Sequence, residues 1–92
     1  MRGTARVTIS GVVQGVGYRY FCCRRADQFG IGGWVKNQPD GSVQVLAQGD
    51  TESLEQFIIE LRKGPSGALV HEVKVQYEEI TTMFDTFEVR RN

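Results

Sequence analysis

Ninety-two residues leave room for one small core and exclude a multidomain machine. An apolar fraction of 40%, a charged fraction of 24% and only 2 Pro describe a globular chain, neither a disordered tail nor a collagen-like fibre. Eleven Lys plus Arg balance eleven Asp plus Glu, so net charge is zero and no global field draws the chain to nucleic acid or an anionic membrane.

The apolar runs are only a few residues long, and the Met1-Arg2-Gly3 start lacks the apolar block of an export signal. These features predict a cytoplasmic protein that does not span a membrane. Cys22 and Cys23 are adjacent, which rules out stapling distant segments, and with His71 as the single histidine no familiar zinc spacing can be assembled.

Taken in chain order, Arg6 to Val13 places Val7, Ile9 and Val13 on one side of a two-residue repeat and predicts a half-buried strand. Tyr18, Cys22, Ala26 and Phe29 recur at helical spacing, and Gly30 closes that helix. A second strand spans Gly33 to Gln38. The turn Gln38-Pro39-Asp40-Gly41 leads to a third from Ser42 to Gln48, so these two form a hairpin. Asp50 is placed to cap a second helix whose apolar stripe is Leu54, Phe57, Ile58 and Leu61, and Gly64-Pro65 stops it. Val73, Val75 and Tyr77 alternate as a fourth strand, and Phe87 and Val89 mark a short fifth.

The order is βαββαβ(β). Two βαβ halves with right-handed crossovers put strand three beside strand one, which gives an α+β fold: a ferredoxin-like α/β sandwich with a mostly antiparallel sheet and two helices on one face. The chain carries no repeat, linker or low-complexity stretch, and residues 1–92 read as one domain.

Between the first strand and first helix lies Gln14-Gly15-Val16-Gly17-Tyr18-Arg19. Its glycines can adopt positive φ and aim successive backbone N–H groups inward, and it precedes a helix N-terminus whose unpaired amides and dipole of roughly +0.5 charge favour an anion. Arg19 adds a permanent charge with a planar fork suited to phosphate oxygens. Two glycines alone would describe an ordinary tight turn. Other phosphate loops fail here: Val16 stands where a Walker loop starting at Gly11 needs glycine, Tyr20 stands where a dinucleotide fingerprint needs a small residue, and Val13 stands where a cysteine phosphatase needs its thiol.

Gly11-Val12-Val13-Gln14-Gly15-Val16-Gly17-Tyr18-Arg19 resembles the first signature of the acylphosphatases, and Gly33-Trp34-Val35-Lys36-Asn37-Gln38-Pro39-Asp40-Gly41-Ser42-Val43 resembles the second. The resemblance covers nearly the whole chain. It implies hydrolysis of a small-molecule acyl phosphate to a carboxylate and inorganic phosphate, with Gln14, Gly15, Val16, Gly17, Tyr18 and Arg19 as the phosphate-binding set. Arg19 and Asn37 are then the catalytic residues, Asn37 orienting the water that attacks. No metal and no cofactor are implied, and inorganic phosphate is expected to compete as product. The family pattern also raises a pairing of the terminal carboxylate of Asn92 with Arg19, which the sequence does not decide.

A monomer is expected, without nucleic-acid or membrane partners. The alternative within the same fold is a noncatalytic phosphate-sensing or regulatory module. An RNA-binding sandwich is the other rival, opposed by zero net charge and by the lack of an aromatic RNA signature on strand three. Cys22 and Cys23 are assigned no chemistry, one packing inward and the other nearer solvent. His71 reads as a surface or boundary residue, Trp34 as core or hairpin packing, and Arg24-Arg25 and Arg90-Arg91 as solvated charges.

Overall fold

The computed structural model describes residues 1–91. Its elements run β1 (Arg2–Val12), α1 (Tyr18–Phe29), β2 (Gly32–Asn37), β3 (Val43–Asp50), α2 (Thr51–Lys63), β4 (Leu69–Glu78) and β5 (Phe87–Val89). The sheet order is β4-β1-β3-β2-β5. All neighbours are antiparallel except β2 and β5, which are parallel.

Alternation in β1 and β3 sends Ala5, Val7, Ile9, Val43, Val45 and Ala47 to one face, all fully buried. Both helices cover that face. Helix α1 contributes Tyr18, Cys22 and Ala26, and α2 contributes the expected stripe of Leu54, Phe57, Ile58 and Leu61. Phe57 meets Phe87 edge-on, with ring centroids 5.9 Å apart, which ties α2 to β5. Gly30 ends α1 in the left-handed conformation, with Ile31 N–H donating to Ala26 O at 2.8 Å, the closing bond of a Schellman cap.

Four expectations are corrected by the structure. Strand β1 begins at Arg2, because Arg2 to Ala5 pair with Ala47 to Asp50 although their polar residues hide the pattern. Asp50 sits at the N-cap of α2 without a capping bond, its carboxylate accepting instead from the Met1 amino group at 3.2 Å. Tyr77 is 65% exposed, since β4 is the outer edge of the sheet and its packing onto the core comes from Val70, Val73 and Val75. Arg25 and Arg90 are not simply solvated. Arg25 Nε donates to Glu60 at 2.9 Å, joining α1 to α2, while Arg90 lies over the Trp34 ring at 5.2 Å.

Trp34 packs across the hairpin against Leu46, on the face opposite the helices. There it is 7% exposed beneath the cations of Arg6, Lys36 and Arg90. On the same face Gln48 is fully buried. Its amide nitrogen donates to Thr82 O at 2.7 Å and Thr4 Oγ1 at 3.2 Å, and its amide oxygen accepts from Phe84 N–H at 2.9 Å. These bonds hold the 79–86 segment where it carries the chain from one sheet edge to the other, so that β5 can run up beside β2.

Candidate active site

The site is built at the end of the sheet where β1 and β2 both stop. Val13, 1% exposed, anchors the chain as it leaves β1. The next residues turn sharply, with Gly15 at φ 75° and Gly17 at φ 78°. A Cβ at either glycine would meet nothing within 4 Å, so backbone conformation rather than crowding demands glycine here, and the space beyond the turn is open.

Helix α1 then starts in an unusual way. Gly17 occupies its N-cap with no side-chain cap, and its first turn holds no acidic residue. Most helices satisfy their leading N–H groups with a Ser, Asp or Glu oxygen, whereas this one leaves them to whatever enters from outside. Tyr18 fixes the orientation of that end. Its ring is buried and its hydroxyl donates to Leu61 O at 2.6 Å, and burial pushes its pKa well above the ordinary tyrosine value. With Tyr18 turned into the core, the next residue, Arg19, lines the cavity.

Asn37 is the last residue of β2, opposite Val43. Its amide oxygen is buried and has no hydrogen-bond partner among the described residues. Native proteins rarely leave such an atom unpaired, because desolvation without a partner costs about 1–3 kcal/mol. Gln14 holds the loop against this strand end, its amide nitrogen donating to Gln38 O and to Ser42 O, both at 2.8 Å. The turn itself is closed by Asp40, which accepts from the Ser42 hydroxyl at 2.6 Å and its amide at 3.0 Å; these bonds hold the Asp40 carboxyl below its ordinary value.

A cavity of ≈ 360 Å³ brings Gly15, Gly17, Tyr18, Arg19 and Asn37 to one surface. Of the other expected phosphate-binding residues, Gln14 spends its side chain on the turn and Val16 packs against the core. Only their backbone amides are left for an anion. Neither residue lines the cavity.

The sequence reading missed Val13, Tyr20, Cys23, Val89 and Arg91 in the lining. Cys23 follows Arg19 by four residues and follows Tyr20 by three, so the helical period could have found Cys23 from Arg19 and Tyr20 from Cys23. Val89 and Arg91 come from the far end of the chain, and only the pairing of β5 with β2 reveals them. Cys22 is buried and Cys23 partly so, as expected, and burial raises the thiol pKa of both. His71 lies exposed on β4. The terminal carboxylate of Asn92 lies outside the described residues. Among those residues no group of three His, Cys, Asp or Glu side chains could hold a metal ion, and no helix is long and apolar enough to cross a membrane.

A ferredoxin-like sandwich that gathers around one cavity an uncapped helix N-terminus, an arginine and a carboxamide oxygen unpaired among the described residues is an α+β protein with a candidate anion site. Comparison narrows this. The acylphosphatase family model matches residues 5–89. The chain is 48% identical to an acylphosphatase of Synechococcus sp. (strain RCC307), over 95% of this chain and 74% of that one. It is 44% identical to one from Salinibacter ruber, over 98% and 93% of the two chains. The crystal structure of acylphosphatase from Bacillus subtilis superposes with a TM-score of 0.94 at 33% identity, covering 99% of this chain and all of that one (100%). This chain belongs to the acylphosphatase family.

Proposed function

We propose that this protein hydrolyses acyl phosphates to a carboxylate and inorganic phosphate, by in-line attack of a water oriented by Asn37 on a phosphoryl group held by Arg19 and the backbone amides of residues 14–19. The observation that carries the reading is that Asn37, whose buried amide oxygen has no partner among the described residues, lines the same cavity as Arg19. A carboxamide oxygen can accept a hydrogen bond from water but is no base at neutral pH, so its part is orientation. The water oxygen bonds to phosphorus as the bond to the acyl oxygen breaks, and the electron pair leaves on the carboxylate. The water's proton passes to the substrate's own phosphoryl oxygen.

Phosphoryl transfer asks the protein chiefly to position the group and stabilise its charge. The amide cradle and guanidinium meet both needs, and a carboxylate departs without a general acid. No step as written calls for a metal, and the residues named all lie on one chain.

The test is hydrolysis of benzoyl phosphate by purified protein, followed by absorbance in the presence of a chelator and repeated with inorganic phosphate. Turnover that survives the chelator and is competitively inhibited by phosphate is expected. Phosphate binding without turnover would instead favour a noncatalytic phosphate-sensing module.

A further inference from the structure

The cavity holds a second cation that the reading above does not use. Strand β5 pairs in parallel with β2 in the register Gly33–Phe87, Trp34–Glu88, Val35–Val89. The ladder continues past Val89, because Arg90 N–H donates to Val35 O at 2.8 Å. Carried forward in the same step, this register sets Arg90 beside Lys36 and Arg91 beside Asn37.

Side-chain alternation agrees with that placement. Phe87 and Val89 pack toward the helices, and Arg90 lies with Lys36 over Trp34 on the opposite face. Arg91 therefore returns to the helix side, where it lines the cavity with Arg19 and Asn37. Two guanidinium groups, one carried by α1 and one following β5, line this cavity, and among the described residues no carboxylate does. Two like charges around one small cavity repel each other unless an anion of matching charge lies between them.

We propose that Arg91 is a second phosphoryl-binding residue, meeting the bound phosphoryl oxygens from the strand side of the cavity while Arg19 meets them from the helix side. The proposal rests on the reading of the loop as a phosphate cradle. It assigns Arg91 the charge carried by the equatorial phosphoryl oxygens as water attacks from the Asn37 side. It also makes the site selective for dianionic tetrahedral groups over singly charged carboxylates.

The test is titration with inorganic phosphate, followed by NMR, of the wild type and of Arg91→Gln, Arg91→Lys and Arg90→Gln. Arg90→Gln removes the same charge one residue away but from the other face of the sheet, so it separates a contact from a diffuse field. Arg91→Gln is expected to weaken phosphate binding by about tenfold or more, the scale of one charge-assisted hydrogen bond, and to flatten its salt dependence. Arg91→Lys should lie between it and the wild type, and Arg90→Gln should bind as the wild type does. Equal affinity for wild type and Arg91→Gln, equal losses for Arg90→Gln and Arg91→Gln, or a lysine variant no better than glutamine would each overturn the proposal. Because the readout is binding, it stays separate from the enzymatic claim: wild type that binds phosphate but cleaves no benzoyl phosphate defeats that claim and leaves this one standing or falling on its own titration.

Discussion

Asn37 lines the cavity and carries a buried carboxamide oxygen that has no partner among the described residues, while Arg19 lines the same cavity from α1. These two side chains should fail differently. Asn37→Ala removes the water's acceptor but leaves the amide cradle and Arg19 intact, so phosphate affinity should stay within about twofold while turnover falls by on the order of 10² or more. Arg19→Ala removes charge that binds ground state and transition state alike, so both affinity and turnover should drop. Steady-state kinetics on benzoyl phosphate, with phosphate as competitor, check both; an Asn37→Ala enzyme that turns over like the wild type sinks the orienting role. Both residues were legible in the sequence because each sits inside a local motif: Arg19 two residues after the second glycine of a strand-to-helix turn, Asn37 just before a Gln-Pro-Asp-Gly turn. What the sequence could not show was the burial of the Asn37 oxygen, which depends on packing around the end of β2.

Among the elements, the loop before α1 and the turn between β2 and β3 act as one piece because the Gln14 amide spans them. Gln14 was expected among the phosphate-binding residues; its side chain lies across the hairpin, between the cradle and the end of β2. Gln14→Ala removes one donor from each of the Gln38 and Ser42 carbonyls, which keep the Gly41 and Gln38 amides as donors, and should cost about 1 kcal/mol by urea denaturation. It should also lower kcat more than it raises the dissociation constant for phosphate, since the backbone amides of residues 14–19 all remain while Asn37 loses its registration. A variant with unchanged kcat would show that loop and hairpin hold their spacing without it. The helices and the β2–β3 hairpin were readable from periodicity and turn chemistry. The start of β1 was not, because Arg2-Gly3-Thr4 shows no alternation of its own and pairs only because β3 lies alongside.

Across the whole molecule, the position of β5 depends on a polar group near its start, at the end of the sheet away from the cavity. Gln48 satisfies Thr82 O and Phe84 N–H, and the segment it holds delivers β5, and with it Val89 and Arg91, to the cavity. Gln48→Ala would leave those two backbone groups and Thr4 Oγ1 without this partner, so a loss of about 2–3 kcal/mol is expected, with faster amide exchange in β5 than in β1 or β3. Uniform exchange across the sheet would mean that the segment is fixed by other contacts. A lone glutamine in an alternating strand gives no hint in sequence of a partner thirty-four residues away, and the same remoteness hid Arg91. The sheet order carries one further consequence. Only β2 and β3 are neighbours both along the chain and in the sheet. Every other pairing closes a long loop, which places folding toward the slow, millisecond-to-second side of small domains. During synthesis both signature motifs leave the ribosome well before the residues that wall off their cavity, so a nascent chain displays the family's hallmarks while still unable to assemble the complete pocket until its final strand has been made and docked.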